Sequence, residues 1–526
     1  MQEFIAKYGS RIAGVLSGFD RLVFRGSLRK LSYVQGMNSY LWAEQVLLKN
    51  FGPHVQRISE RVRQAAVGCM ENRGRPVRYL QSSAENKEDI ARAIAARDQI
   101  RQGPVCALTC VESCQTFDVY RNRQTRQLDL VQRVRKCLFI YQYWQHPLLG
   151  WINARIQTWF PFSIQICSNG REWLARQLEA AGIAYQRQDN CFSWVDDYAQ
   201  AQQLLEQQLG TDWTSLLNQL AAELNPIHEE IFARFPLSYY WSVYQSEWAT
   251  DVVFRHPEDL QRLYPFWLRH ALTSFGSPEV MRFLGQKLTQ KGQVPDRIST
   301  QIVSDYRRRQ DGIRIKHRHG SNSVKMYDKA YTPQGSVLRV EMTMENPKAF
   351  RVYRRREGHP EDALAWLTMR KGIADLYRRA QVSQKVNERY LEGLAATNDR
   401  ICLQELLAQL HRPVTYHDKR VRAMRPWADD DGRLLQAIGD GRFTIHGFRN
   451  RDLQALLYGT AAHGDMERRR RSAAVSRQLR LLRAHHLIRK VPQSYRYQLT
   501  PLGRQIVTAV TAAGKATVES LIAQAA

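Results

Sequence analysis

Two groups of residues in this chain have types and spacings that suit chemistry on phosphates. The first is acidic. Asp20 sits in FDRLVFRGSL, a run of β-formers from Phe19 to Leu28; Asp251 sits in TDVVFRH; and Glu341 sits in VLRVEMTM. Carboxylates delivered from separate strands are how two-metal nuclease sites are assembled, because each oxygen must be held while an ion and a phosphate share them. The competing reading is plain: an Asp beside an Arg on a strand commonly serves as an ion pair or a cap. The second group is cationic. Between Arg468 and Arg504 there are eleven Arg or Lys and no Asp or Glu. Such a run neutralises a polyanion and releases its counterions.

The whole composition points the same way. The chain has 526 residues, 77 Lys+Arg against 50 Asp+Glu, a formal charge of +27 and a pI near 9.9. This favours nucleic acid first and an anionic membrane second. The basic residues are not gathered in one amphipathic anchor and no uninterrupted apolar run reaches membrane length, so no membrane partner is expected. Met1–Arg11 carries Glu3 and Lys7 without a long apolar stretch, so no secretory signal and a cytoplasmic location are expected. Eight cysteines in so long a chain are no disulfide framework. Cys106, Cys110 and Cys114 recur every four residues, but no second close pair completes a metal set. Buried thiols are the expectation. Walker A, HExxH, GxSxG and helix-opening GxGxxG patterns are absent.

The elements that must position these residues follow from periodicity. At about 100–200 residues per domain the length suits several domains. The expected fold class is α/β (α+β), multidomain, with mixed sheets, helical insertions and a C-terminal winged helix-turn-helix. The expected division is a strand-plus-helices region over 1–103, an α/β domain over 104–210, a helical region over 211–295, and a β-rich segment over 296–360. A helical segment and linker over 361–428 and a DNA-binding domain over 429–526 complete it. Val105–Val111 and Thr116–Tyr120 read as separate strands. Tyr239, Tyr240, Trp241, Tyr244 and Trp248 recur at helical spacing, which suits core packing more than base stacking. Asp429-Asp430-Asp431 reads as a turn and helix N-cap. The β-rich segment parses as strands Gly312–Arg318, Ser323–Tyr327 and Ser336–Met344. Alternation sets Val337, Arg339, Glu341 and Thr343 on one face of the last.

Near the C-terminus, Arg449–Tyr458 and Arg471–His486 read as amphipathic helices, the second with Val475, Leu479, Leu482 and Leu487 along its seam. Ile488–Val491 and Arg496–Leu499 flank a polar turn, and Thr500 caps a final helix. Helix, helix, hairpin, helix resembles the winged helix-turn-helix of MarR-type proteins, over residues 440–515. The resemblance implies that Arg477, Arg480 and Arg483 face base edges or phosphates, and that Arg489, Lys490 and Arg496 contact the backbone. A homodimer is compatible with it.

Residues 316–350 resemble a stretch of the replication initiators of rolling-circle plasmids and filamentous phages, in which a Gly/Ser turn leads to an Arg/Lys-x-Tyr-x-Lys strand and then a strand bearing Arg-x-Glu. The matching residues are Ser321, Lys325, Tyr327, Asp328, Lys329, Arg339 and Glu341. The resemblance implies Tyr327 as a nucleophile with Lys329 beside it, and His317, His319 and Glu341 as ligands of Mg²⁺ or Mn²⁺. The chain departs from the family's His-hydrophobic-His pair in placing Arg318 between the histidines. A Tyr packed in a sheet, and a Glu341 paired with Arg339, Lys325 or Lys329, are the structural alternatives. Arg307, Arg308, Arg309, Arg314, Lys316, Arg318 and Lys325 make the surroundings basic. The expected function is that of a mobile-element or plasmid-type replication or recombination protein that binds DNA and nicks a strand with a metal. A non-enzymatic DNA-binding regulator and an RNA-binding component of a ribonucleoprotein are the alternatives.

Overall fold

The structure is a computed structural model. It describes residues 1–286, 298–303, 313–332, 335–356, 358–359, 361–396, 403–443, 447–460, 462–492 and 494–519. The run Arg307-Arg308-Arg309 lies outside the described residues. The chain is mixed α/β. It divides into two compact units, each discontinuous in sequence. One comprises residues 14–253 and 332–384, the other 1–13, 254–331 and 385–526. Among the described residues, no helix is long and apolar enough to cross a membrane.

The strands in chain order are β1 (Ile12–Ser27), β2 (Val77–Tyr79), β3 (Gly103–Arg121), β4 (Leu128–His146), β5 (Gly150–Gln157) and β6 (Ile164–Asn169). There follow β7 (Tyr185–Gln188), β8 (Cys191–Val195), β9 (Tyr240–Phe254), β10 (Ile298–Val303), β11 (Arg314–His319), β12 (Asn322–Thr332) and β13 (Gly335–Met344). In the first unit the order across the sheet is β13-β9-β1-β6-β5-β4-β3-β2. The β13/β9, β1/β6, β6/β5, β5/β4 and β4/β3 ladders are antiparallel and β2/β3 is parallel. Aromatic and aliphatic side chains, among them Phe24, Tyr40, Phe51, Phe160, Trp213 and Trp241, fill its core.

Two expectations about this unit are corrected. The strands expected at Val105–Val111 and Thr116–Tyr120 are one strand of 19 residues, β3, because the polar residues between them stay in unbroken register with β4. The region expected to be helical over 211–295 contains the 15-residue strand β9. From Ser246 to Phe254 nearly every side chain of β9 is buried. A strand covered on both faces loses its period of two, and the aromatics then mimic a helical stripe.

One contact in this unit sets up the site. The helix Gly170–Ala181 starts at Asn169, whose side chain accepts from the N–H groups of Arg171 and Glu172, and stops at Gly182 in the left-handed conformation. Gly170 lies so close to β1 that a Cβ there would be 1.8 Å from the Phe19 carbonyl oxygen. Only glycine allows that approach, and it carries Arg171 onto the sheet.

The second unit contains the antiparallel ladders β10/β11 and β11/β12 and the C-terminal elements. These are a helix Asp429–Ile438, a helix Asn450–Tyr458, a helix Gly464–Ala484, a two-stranded hairpin (Ile488–Lys490 with Tyr497–Leu499) and a helix Pro501–Lys515. Val475, Leu479, Leu482 and Leu487 are all buried there. Thr500 caps the last helix by accepting from the Gly503 N–H. The acidic run is corrected in detail. Ala428 is the N-cap, the three aspartates occupy the first turn, and Asp431 is buried against Arg422 at 2.6 Å.

Candidate metal centre and nucleic-acid surfaces

The first unit gathers four carboxylates and two guanidinium groups at β1, β9 and β13, three neighbouring strands. Asp20 comes from β1, Glu247 and Asp251 from β9, and Arg339 and Glu341 from β13. Arg339 stands directly opposite Asp251 in the ladder, and Glu341 opposite Ala249. Period two therefore puts Glu247, Asp251, Arg339 and Glu341 on one face. Asp20, Asp251, Arg339, Glu341 and Arg171 are all buried, and Glu247 is half-buried.

Asp251 is held by cations. Arg339 Nε and Nη2 donate to its two oxygens at 2.5 and 2.8 Å, and Arg171 Nη2 lies 3.0 Å from Oδ2. Arg171 also donates to the Ala249 carbonyl at 3.1 Å. Arg339 Nη1 reaches Asp20 at 3.3 Å and Glu341 at 4.0 Å. The turn between β7 and β8 reaches the same place. Asn190 Nδ2 donates to Asp20 Oδ2 at 2.7 Å, and Arg339 Nη2 donates to the Asn190 carbonyl at 2.7 Å. Asp189, beside it, has a φ of 55°. Asp20, Asp251 and Arg339 are thus each fixed by a partner on another element, a rigidity that supports the neighbouring carboxylates.

Asp20, Glu247 and Glu341 converge differently. One oxygen from each lies within 4.8 Å of the other two. Oxygens on opposite sides of a hard dication are about 4.2 to 4.8 Å apart, for ions from magnesium to calcium. The three carboxylates therefore have the spacing and the all-oxygen chemistry of a hard-cation site. Of the two aspartates expected with Glu341, Asp20 joins this group, while Asp251 serves as an anchor for two arginines. Glu247 was missed. Its strand was read as helix, so its face-sharing with Asp251 four residues on had no meaning in a sheet.

The histidine ligands expected with Glu341, His317 and His319, belong to β11, in the second unit. His317 is buried. Its Nδ1 is 2.9 Å from the Thr300 hydroxyl and its Nε2 3.1 Å from the Tyr390 hydroxyl, so both nitrogens are engaged. Burial pushes its pKa down to about 4. Tyr327 pairs with Arg314, and Lys325 with Lys316. By alternation Arg314, Lys316, Arg318, Lys325, Tyr327 and Lys329 share one face of the β11/β12 ladder, and His317 and His319 take the other. The expected nucleophile and the expected histidine ligands therefore lie on opposite faces of one ladder. Tyr327 and Lys329 are both buried, with the Lys329 ammonium 5.6 Å from the Tyr327 ring.

In the C-terminal elements, Arg480, Arg483 and Lys490 line one cleft of about 510 Å³ together with Arg449, Arg451 and Tyr495. Arg477 and Arg480 are exposed, and Arg483 lies over the Tyr416 ring at 5.5 Å. Arg489 lines a separate cavity of about 660 Å³. Arg496 Nη1 donates to the Gly447 carbonyl at 3.3 Å. The cysteine expectation concerns packing: Cys106, Cys110, Cys114, Cys137 and Cys191 are buried, and burial pushes the Cys106 thiol up to about 12. Compared with protein-family models, curated proteins and solved structures, the chain matches none.

Proposed function

We propose that this protein binds nucleic acid, DNA in preference to RNA, and cleaves a phosphodiester bond with a divalent metal, Mg²⁺ or Mn²⁺, held by Asp20, Glu247 and Glu341. The observation that carries this reading is the convergence of those three carboxylates from three neighbouring strands. In such a site a bound dication neutralises the charge that develops on the phosphoryl oxygens. The chain's own residues do the rest. Arg339 and Asn190 hold Asp20 in place, and Arg171 with Arg339 holds Asp251 beside it, so Asp20 keeps its geometry without reorganising. The basic face of β11/β12 and the cleft lined by Arg449, Arg480, Arg483 and Lys490 supply cations for the phosphate backbone. The C-terminal helix, helix, hairpin, helix order is read as a winged helix-turn-helix, and the whole as a replication or recombination protein of a mobile element. Attack by Tyr327 would leave the protein covalently joined to a DNA end, whereas attack by water would not.

The test is incubation of the purified chain with supercoiled and single-stranded DNA, with and without Mg²⁺ or Mn²⁺, beside Glu341→Gln, Glu247→Gln and Tyr327→Phe. Metal-dependent cleavage lost in both Glu variants supports the reading. Binding without cleavage under every condition overturns it. That result leaves a non-enzymatic DNA-binding regulator, the reading that the cationic C-terminal cleft favours.

A further inference from the structure

The β3/β4 hairpin continues outward after its other ladders end. Beyond Phe139, β4 pairs only with β3, from Val111↔Leu138 to Arg121↔Leu128. This is a two-stranded ribbon about 35 Å long at the rise of antiparallel strands. Its middle is anchored. Phe117 and Leu130 are buried in the core, the Thr116 hydroxyl donates to the Phe160 carbonyl at 2.6 Å, and Gln132 donates to the Ser32 carbonyl at 2.8 Å. The tip is not covered. Arg121, Arg123 and Arg126 at the tip are exposed, as are Arg133, Arg135 and Lys136 along the ribbon below it. Arg133 and Arg135 share Asp118, while Arg121, Arg123, Arg126 and Lys136 make no ion pair among the described residues.

The turn itself is organised. Asn122 Oδ1 accepts from the Gln124 N–H at 3.0 Å, Asn122 Nδ2 donates to Asp129 at 2.9 Å, and the Asn122 N–H donates to the Gln127 carbonyl at 2.8 Å. Arg126 is held at a φ of 59°, in the left-handed region where a long side chain is uncommon. Over residues 111–138 six cations stand against three carboxylates: Glu112 pairs with Arg155, Asp118 takes Arg133 and Arg135, and Asn122 occupies Asp129 beside the tip, which leaves the charge of Arg121, Arg123 and Arg126 unbalanced there.

We infer that this ribbon is a second nucleic-acid contact, inserted at its Arg121–Arg126 tip into the major groove of duplex DNA. A B-form major groove is about 12 Å wide and admits a two-stranded ribbon. The deep, narrow major groove of A-form RNA does not. Cations at a pre-organised tip lose little freedom on binding, which is what an anchored ribbon provides and a flexible tail does not. The inference rests on the DNA-binding part of the reading above, and not on cleavage or on the C-terminal elements.

The experiment is a salt titration of binding, read by fluorescence anisotropy on a labelled DNA duplex of mixed sequence and on an A-form RNA duplex. It compares the full-length chain with the triple variants Arg121→Gln/Arg123→Gln/Arg126→Gln and Arg121→Lys/Arg123→Lys/Arg126→Lys, after circular dichroism shows unchanged folding. Three lost phosphate contacts make the log–log salt slope shallower by about 2 to 3 on DNA. The expected result is that loss in the Gln variant, with affinity at least tenfold weaker near 0.1 M salt, and a slope kept in the Lys variant. An unchanged DNA slope in the Gln variant, while the parent chain binds DNA, overturns the ribbon but not the DNA-binding reading. Equal losses on DNA and RNA overturn groove insertion. A parent chain that binds neither duplex overturns both.

Discussion

Arg339 lies directly across the β13/β9 ladder from Asp251 and grips both of its carboxylate oxygens, at 2.5 and 2.8 Å, with both side chains fully buried. This pair joins two of the three strands that carry the acidic group, and Arg339 also reaches Asp20 and Glu341. It links Asp20 and Glu341 to Asp251 without being a ligand itself, so its loss and the loss of a ligand should be separable.

Removing one partner of a buried ion pair leaves the other charge uncompensated, which costs about 3–5 kcal/mol. Arg339→Met is therefore expected to lower the unfolding free energy by that amount in urea titration. Asp251→Asn should cost less than Arg339→Met, because the amide keeps an acceptor for one guanidinium N–H.

The acidic group behaves in the opposite sense. Three carboxylate oxygens within 4.8 Å repel one another, and a dication relieves the repulsion. Addition of Mn²⁺ or Mg²⁺ should raise the melting temperature of the parent chain in a concentration-dependent way. In Glu341→Gln and Glu247→Gln the melting temperature without metal should be equal or higher, and the metal-induced rise should be lost. A rise of the same size in both variants would place the ion elsewhere.

His317 makes stability depend on pH. Its folded pKa of about 4 lies below its ordinary 6.5, and burial is the cause. Burial disfavours the charged ring, whose two nitrogens are bonded to the Thr300 and Tyr390 hydroxyls. The contribution is complete above about pH 6.5 and is lost as pH falls toward 4. Over that window it amounts to about 3 kcal/mol. Burial also lowers the pKa of His270 and adds in the same direction. Unfolding free energies at pH 7.5 and 4.5 should differ by less in His317→Gln than in the parent chain.

The C-terminal cations are expected to act through phosphates. Arg480→Gln and Lys490→Gln, which both line the same cleft, should each make the salt slope of DNA binding shallower by about 1. Arg496→Gln should change it little, because that guanidinium is engaged with the Gly447 carbonyl. Equal effects of all three would mean that the cleft has no special role.

The sequence made the local elements near the C-terminus legible, because each has its own apolar period. The seam Val475, Leu479, Leu482 and Leu487 and the Thr500 cap stand as read, although the helix from Gly464 begins seven residues earlier than expected. The first two turns, Gly464–Arg471, are mostly charged, acidic and then basic, and carry no apolar seam to mark the start. The alternation of Arg339 and Glu341 was also legible. Glu247 was not, since β9 is covered on both faces and its aromatics fall at helical spacing. Arg171 was invisible for another reason. Nothing near it in sequence says that Gly170 brings its helix against β1, a contact between residues about 150 positions apart. The basic ribbon was hidden because two short strands were read where one long strand runs.

The most direct measurement of the central claim is the metal-dependent conversion of supercoiled DNA to the nicked form by the parent chain beside Glu341→Gln. Nicking by the parent chain in Mg²⁺ or Mn²⁺, absent in the variant at equal DNA affinity, is the result predicted by a metal held at Asp20, Glu247 and Glu341. Equal nicking by the two proteins, or none by the parent chain while it binds DNA, would contradict it.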